Sequence, residues 1–192
     1  MRTVKIKRET KETNIELELN LDGSGVNNIS TGLDFFDHML SGFAVHSGFD
    51  INLKAKGDLK VDCHHTVEDT GIVLGQAINS ALGDKKGITR FADSFIPMDE
   101  TLSFCALDIS GRPYLVFDAK FERQFAGDFE TAVTEEFFRA LSTNANLTLH
   151  IKNIYGTNDH HKIESIFKSV ARALRTATKI CGNKIPSSKG SL

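Results

Sequence analysis

A duplicated motif constrains the fold of this chain more than any other feature of its sequence. Residues 64–68 read His-His-Thr-Val-Glu, and residues 160–164 read His-His-Lys-Ile-Glu. The two histidines and the glutamate recur at one spacing (160 − 64 = 161 − 65 = 164 − 68 = 96), which is half of the 192-residue chain. The chain is therefore predicted to contain two copies of one structural repeat, each with an HHxxE segment at the matching place.

The sequence before each motif supports this duplication. Residues 15–21 alternate Ile or Leu with Glu or Asn up to a turn at Asp22-Gly23, and residues 101–117 alternate similarly with a break at Ser110-Gly111. This period of two is typical of half-buried strands. Each half then continues with an apolar helix that carries a Phe pair and with a short strand, predicted at residues 31–40 and 131–141 for the helices and at 49–55 and 146–152 for the strands.

Both motifs are predicted to open a long helix, because apolar residues follow them at helical spacing. The first helix is expected to end at Gly83 and the second near Cys181-Gly182. The pattern predicts an α+β fold made of two tandem strand-rich repeats, residues 1–92 and 93–180, with helices on one face of each sheet packed together in the middle. Residues 181–192 are expected to form a flexible or ligand-ordered tail.

Charge and composition argue against several classes of protein. The net charge is −2 and the charged residues form no long block, so general attraction to nucleic acid or to a membrane is not predicted. Residues 1–13 lack the apolar core of a signal peptide, and no segment approaches the roughly 18 apolar residues of a membrane span, so a cytoplasmic protein is expected. Three cysteines without zinc-knuckle spacing favour free thiols, at Cys63, Cys105 and Cys181.

The motif spacing is typical of metal ligands. On a helix, Glu68 lies one turn after the histidine pair, so its carboxylate can share an ion with one imidazole. Adjacent histidines point about 100° apart around a helix, so each pair suits two metals. Nitrogen and oxygen ligands without cysteine favour manganese, iron or zinc. A single histidine pair is more often a solvated helix start, and His38, His46 and His150 taken alone are typical of packed histidines, but two matching copies favour metal binding.

Characteristic segments occur along almost the whole chain in addition to the two HHxxE motifs. They are TKETNIELELNLDGSG, DFFDHML, CHHTVEDTGIVLGQA, KGITRFA, PMDE, LDISGRPYL, EEFFRAL, LTLHI, DHHKIESIFKSVARALR and IPSSKG, in this order. Together they resemble the imidazoleglycerol-phosphate dehydratase family of histidine biosynthesis in its monofunctional form. The resemblance implies one catalytic domain over residues 1–192, with two four-stranded mixed sheets flanking a layer of helices, as in domain 2 of ribosomal protein S5. It also implies a 24-subunit shell of identical chains with metal sites at subunit contacts.

The resemblance further implies two Mn²⁺ ions, or other divalent transition metals, in each active site. The implied metal ligands are His38, His64, His65, Glu68, His150, His160, His161 and Glu164. Catalytic roles are implied for Glu12, Glu68 and Glu164, and substrate or phosphate contacts for Glu12, Arg90, Arg112, Ser188 and Lys189, the last two in the tail. Asp99 and Glu100 are second candidates for acid–base work, and Asp69 is expected to orient a ligand imidazole. One departure is Ser41-Gly42, where many relatives carry Asp-Gln.

The implied reaction is the dehydration of D-erythro-imidazoleglycerol phosphate to imidazole-acetol phosphate. The carbon that loses a proton has no adjacent carbonyl, so the imidazole ring of the substrate must act as the electron sink. Two metals, one on each ring nitrogen, would make an imidazolate at neutral pH, and loss of hydroxide would lead through a diazafulvene-like intermediate to an enol. Two alternatives stay open: a di-metal hydrolase of a phosphorylated small molecule, and a non-catalytic metal-binding shell protein.

Overall fold

Two four-stranded sheets of the same topology dominate the structure, a computed structural model that describes residues 2–192. The first sheet contains β1 (Thr3–Glu9), β2 (Thr13–Asn20), β3 (Asn27–Ser30) and β4 (Asp50–Gly57) in the order β1-β2-β4-β3. The second contains β5 (Phe91–Met98), β6 (Thr101–Asp108), β7 (Tyr114–Asp118) and β10 (Thr148–Tyr155) in the order β5-β6-β10-β7. In both sheets only the last pair of strands is parallel, so the topology repeats strand for strand.

Four helices join the two repeats: α1 (Asp34–Ser47), α2 (His64–Leu82), α3 (Val133–Ala145) and α4 (Asp159–Ala177). Helices α1 and α2 lie against the first sheet and α3 and α4 against the second, while α1 packs on α4 and α2 packs on α3. Each helix pair thus takes one helix from each repeat. Buried phenylalanines fill the centre, among them Phe36, Phe43, Phe137, Phe138 and Phe167. The predicted α+β fold, with two mixed sheets and a duplicated repeat, is confirmed.

Local sequence patterns predicted the end of helix α2 correctly but not the end of helix α4. Helix α2 ends at Leu82, and Gly83 follows with a positive φ of 55°, as predicted. Helix α4 ends at Ala177, so the predicted end near Cys181-Gly182 is wrong. Beyond Ala177 the backbone turns to pair with the segment before β5, where the Thr89 amide donates to the Lys179 carbonyl at 2.9 Å and the Cys181 amide to the Gly87 carbonyl at 2.7 Å. This long-range pairing outcompetes continuation of the helix.

Two further expectations concern the cysteines and the membrane. Cys63 and Cys105 are buried and Cys181 is exposed, and all three are free, as predicted. No helix within residues 2–192 combines the length and the apolar character that a membrane crossing requires.

The repeats differ in the connection that precedes the helix with the Phe pair. Three residues, 31–33, join β3 to α1, whereas fourteen residues, 119–132, join β7 to α3. This longer connection contains a small hairpin of β8 (Phe125–Ala126) and β9 (Phe129–Glu130). Residues 119–132 are called the second-repeat insertion below.

Candidate metal and substrate site

Three of the predicted metal ligands converge at the contact between α1 and α4. His38 projects from α1, and His160 and Glu164 project from one face of α4. The Oε2 atom of Glu164 lies 3.5 Å from Nε2 of His38 and 3.1 Å from Nε2 of His160. Within residues 2–192 this is the one group of three or more His, Cys, Asp or Glu side chains whose ligand atoms all lie within 4.8 Å of one another. These residues are called the three-residue cluster.

The three-residue cluster fits a divalent transition metal. Two imidazole nitrogens and a carboxylate oxygen suit manganese, iron or zinc. Ligands about 2.1 Å from one ion and at right angles to each other lie about 3 Å apart, close to the observed 3.1 and 3.5 Å. The other carboxylate oxygen of Glu164 is held by the Lys168 ammonium at 2.7 Å, so Oε2 is the oxygen that faces the imidazoles.

The charge state of Glu164 also suits a metal ligand, which must be deprotonated. Burial by itself would raise the pKa of this carboxyl, since the residue is only 8% exposed. The Lys168 ammonium and the neighbouring histidines outweigh that effect and hold the pKa of Glu164 below its ordinary value. The carboxylate is therefore ionised at neutral pH, and it stays ready to bind a cation.

The first motif presents a ligand pair instead of a cluster. Nε2 of His64 lies 3.5 Å from Oε2 of Glu68, the same one-turn arrangement as in the second motif. When the two Phe pairs are aligned (137 − 35 = 102), Ala140 takes the place of His38 (140 − 38 = 102). Helix α3 also lies close to α2 there, since a Cβ on Gly71 would be 3.0 Å from the Ala140 Cβ. Within residues 2–192 the duplicated fold thus brings a third predicted ligand to the His160–Glu164 pair and none to the His64–Glu68 pair.

The second histidine of each motif is oriented by a carboxylate. Nδ1 of His65 lies 3.1 Å from both carboxylate oxygens of Asp58, and Nδ1 of His161 lies 2.8 Å from Oε2 of Glu100. Such contacts fix the ring and leave Nε2 for a metal or a substrate. The contact with Asp58 raises the pKa of His65. The contact with His161, together with the Thr157 and Asn158 amides, holds the pKa of Glu100 far below its ordinary value.

The expectation that Asp69 orients a ligand imidazole is wrong. Asp69 accepts hydrogen bonds from Arg8 at 3.0 Å and from the Thr13 hydroxyl, so it ties the β1-β2 hairpin to α2. Asp58 performs the predicted role at His65, and no local pattern marked it, because it lies in the irregular connection between β4 and α2. Its contact with His65 depends on how that connection folds back onto the helix.

Glu12 and Glu100 occupy matching places but have different surroundings. Each directly precedes the threonine that begins the returning strand of its hairpin, Thr13 in β2 and Thr101 in β6. The Glu100 carboxylate accepts hydrogen bonds from two backbone amides, at 2.8 and 3.0 Å. The Glu12 carboxylate accepts none from residues 2–192, is 56% exposed, and lies 4.0 Å from Nε2 of His65. The Glu12 carboxylate is thus less engaged than that of Glu100 and more available for proton transfer. The other candidate for acid–base work, Asp99, lies 3.8 Å from Nε2 of His161.

The predicted phosphate-contacting residues line one pocket of about 220 Å³, formed by Arg90, Arg112, Ser187, Ser188, Lys189, Ser191 and Leu192. Arg90 is engaged within the protein, because it holds both oxygens of Asp108, at 2.7 and 3.1 Å, and the Pro186 carbonyl at 2.8 Å. The Arg112 side chain is 69% exposed, and its nearest carboxylate oxygen is 4.0 Å away, on Asp108. Arg90 therefore braces the tail, while Arg112 has donors available for an anion.

His150 does not join the three-residue cluster. It lies on the outward face of β10, in register with Ala106 of β6 and Val116 of β7, and it is exposed. Its side chain makes no hydrogen bond or ion pair with any of residues 2–192. The same register places Thr148, two residues earlier, beside Asp108. Asp108 is the partner of Arg90, so His150 lies on the face of the sheet that borders the phosphate pocket.

Comparisons with known proteins identify one family. The family described as imidazoleglycerol-phosphate dehydratase matches residues 31–174. Imidazoleglycerol-phosphate dehydratase of Acetivibrio thermocellus is 59% identical over 178 residues, which cover 93% of this chain and 91% of that one. The Clostridioides difficile enzyme of the same name is 55% identical over 192 residues and all of both chains.

Solved structures of the same name resemble the fold. Imidazoleglycerol-phosphate dehydratase from Staphylococcus aureus superposes with a TM-score of 0.83 at 43% identity and covers 91% of this chain and 97% of its own. The Pyrococcus furiosus protein, in complex with (S)-C348, gives a TM-score of 0.85 at 36% identity over 97% of this chain and 100% of its own. The duplicated fold, the paired HHxxE motifs and the extent of these matches show that the chain belongs to the imidazoleglycerol-phosphate dehydratase family.

Proposed function

We propose that this protein is a hydro-lyase that removes water from D-erythro-imidazoleglycerol phosphate and forms imidazole-acetol phosphate, a step of histidine biosynthesis. The observation that carries the proposal is the three-residue cluster in a chain that belongs to this family. The basic pocket of the tail supports a phosphorylated substrate. We further propose that the enzyme acts in the cytoplasm.

We propose two Mn²⁺ ions in each active site, held by the eight histidine and glutamate ligands named above. Bound metals of this kind supply Lewis acidity, which makes the imidazole ring of the substrate easier to deprotonate. Glu164 and Glu68 contribute carboxylate oxygens one turn after a histidine. Asp58 and Glu100 hold Nδ1 of His65 and Nδ1 of His161, which leaves the two Nε2 atoms for a metal.

We assign the proton transfer to Glu12, because its carboxylate is free and lies beside His65. The deprotonated ring expels the hydroxyl group of the carbon attached to it, and Glu12 takes the proton from the next carbon. The proton lost by the ring leaves with the expelled hydroxide as water, and the proton taken by Glu12 returns to the ring as the enol converts to the ketone. The balance of these steps is the loss of one water molecule.

The phosphate group is proposed to bind Arg112, Ser188 and Lys189, with Arg90 holding the tail in place. We expect Arg112→Ala to raise KM about 10- to 100-fold and to lower kcat less, because a hydrogen bond to a charged group is worth about 1.5–3 kcal/mol. The measurement is steady-state kinetics of the variant. Arg139→Ala is the matched control, since Arg139 is also exposed but pairs with Glu135 on α3. An unchanged KM in Arg112→Ala contradicts this assignment.

Self-association into a 24-subunit shell is proposed because single chains leave the sites incomplete. In the first motif only His64 and Glu68 lie close enough to share an ion within residues 2–192, and His150 stands apart from both motifs. The outward face of the second sheet, which carries His150, also exposes apolar side chains that suit contact with another copy, namely Phe91, Phe95, Tyr114 and Val116. Neighbouring copies are proposed to complete the ligand sets across this contact.

Turnover of metal-stripped protein tests the function directly. We expect no acetol ketone from imidazoleglycerol phosphate without metal and restored product after Mn²⁺ is added. Sizing of the same samples is expected to give smaller particles after stripping, because ligands from different chains are joined by the ion. Absence of product from folded, metal-loaded protein refutes the dehydratase and favours the hydrolase or shell alternatives. An unchanged large particle refutes the coupling of metal to assembly.

A further inference from the structure

The second-repeat insertion contacts the start of the helix that carries His38. Asp128, in the turn of the β8-β9 hairpin, accepts a hydrogen bond from the Asp34 amide at 2.6 Å and another from the Phe35 amide at 3.1 Å. These are the first amides of α1, which a helix leaves without partners inside itself. The residue before α1, Leu33, supplies no capping side chain. The cap of this first-repeat helix therefore comes from the second repeat.

The same insertion is also tied to the start of the helix that carries His160 and Glu164. Asp159, the first residue of α4, is buried and accepts hydrogen bonds from the Glu122 and Arg123 amides, at 2.8 and 2.7 Å. Lys162, also buried, donates to Asp159 at 2.9 Å and to the Lys120 carbonyl at 3.2 Å. One segment thus binds the first turns of both helices that form the three-residue cluster.

Aromatic contacts connect these two attachments. The Phe35 ring lies edge-on to the His160 ring with centroids 5.0 Å apart, and it lies 5.5 Å from the ring of Phe129 in β9. The Phe36 ring stacks on Phe129 at 5.7 Å. Phe129 itself is fully buried. A shift of the hairpin would consequently move Phe35, which supports one of the cluster's imidazoles.

We propose that the second-repeat insertion is a clasp that aligns His38 with His160 and Glu164, and that Asp128 is its positioning residue. The clasp is needed because the cluster joins helices from different repeats, whose relative position sets the distances between ligand atoms. Metal ligands require placement to within about 0.5 Å. The first repeat has only residues 31–33 at the corresponding place, and within residues 2–192 no third predicted ligand joins its His64–Glu68 pair. This inference rests on the proposed metal site and adds a residue that touches neither metal nor substrate.

Cobalt binding to Asp128 variants tests the clasp, because Co²⁺ reports ligand geometry through its visible absorption. We expect Asp128→Ala to weaken Co²⁺ binding about tenfold, the lower end of the effect seen when groups that orient metal ligands are removed, and to change the cobalt spectrum. Asp128→Asn is expected to lie between Asp128→Ala and the wild type, because its single amide oxygen can still accept from one of the two amides. All samples are compared in fractions of equal particle size.

Asp50→Ala is the matched control. Asp50 also accepts hydrogen bonds from backbone amides, those of Ser24, Gly25 and Val26 at 2.8, 3.1 and 3.0 Å, but these belong to a loop of the first repeat. We expect this variant to lower the melting temperature of the metal-free protein while its cobalt affinity and spectrum stay at wild-type values.

Three results would decide whether Asp128 positions the three-residue cluster or only stabilises the fold in general. Wild-type cobalt affinity and spectrum in Asp128→Ala overturn the clasp, and so does an equal loss of affinity in Asp50→Ala. A graded loss confined to the Asp128 variants supports it. The proposed function is judged separately by turnover of the wild-type protein, so its failure would show as missing product while the cobalt results of the variants still differ.

Discussion

Replacement of Glu12 by glutamine is expected to lower turnover by about 10²- to 10⁴-fold, the usual contribution of a general acid–base group. Glutamine keeps the size of the side chain but cannot take a proton. The Glu12 carboxylate lies 4.0 Å from Nε2 of His65 and is not held by backbone amides, unlike that of Glu100. Metal content and particle size are expected to stay unchanged, because Glu12 is not among the proposed metal ligands. Turnover, metal analysis and sizing of one preparation check the three expectations together.

The control for Glu12 is Glu9→Gln in the same hairpin. Glu9 is 63% exposed and lies 3.5 Å from Lys7, so it resembles Glu12 in exposure but has no histidine beside it. We expect wild-type turnover from this variant. Wild-type turnover from Glu12→Gln would exclude its catalytic role, and loss of metal along with turnover would instead make Glu12 part of the metal site.

Removal of the His38 side chain is expected to lower turnover as much as Glu12→Gln does, or more. His38→Ala takes one of three ligands from the three-residue cluster and leaves the buried Glu164 carboxylate with His160 and Lys168. We expect metal content to fall and turnover to drop about 10³-fold or more, because a Lewis-acid metal contributes several kcal/mol to the stabilisation of a transition state. Metal analysis after dialysis and turnover with added Mn²⁺ are the measurements.

His46→Ala provides the comparison on the same helix. His46 lies two turns after His38, is half-buried, and has its pKa lowered by burial and by the nearby Lys168 and Arg172. It is not a proposed ligand, so metal content and turnover are expected to remain near wild type. Full metal content in His38→Ala would contradict its assignment as a ligand.

Features that depend on neighbouring residues were predicted well. The strand at residues 15–21 and the end of α2 at Gly83 follow from a period of two and from a glycine with positive φ. The one-turn arrangement of His160 and Glu164 follows from helix geometry alone. The edge strands β1 and β5 were not predicted, since in β1 only Val4 and Ile6 turn apolar side chains toward the core. An edge strand covers less core and therefore carries a weaker pattern.

Features that depend on distant contacts were predicted only through resemblance or not at all. The residues around His38 in the sequence are typical of a packed histidine. Only the packing of α1 on α4 brings His38 to Glu164. The role of Asp58 and the clasp built around Asp128 had no local signal. The end of α4 was misplaced because residues after Ala177 pair with the segment before β5, more than eighty positions earlier in the chain.

The sequence by itself determined the duplication, the helical spacing of both motifs and the nitrogen and oxygen character of the ligands, because these follow from chain geometry within a few residues. The tertiary structure decided that the His160–Glu164 pair gains a third predicted ligand, His38, while the His64–Glu68 pair gains none within residues 2–192. That difference arises at the contacts between helices, where α1 presents His38 to α4 and α3 presents Ala140 to α2. Such contacts are set by the packing of the whole core, so they cannot be read from the motif that they complete.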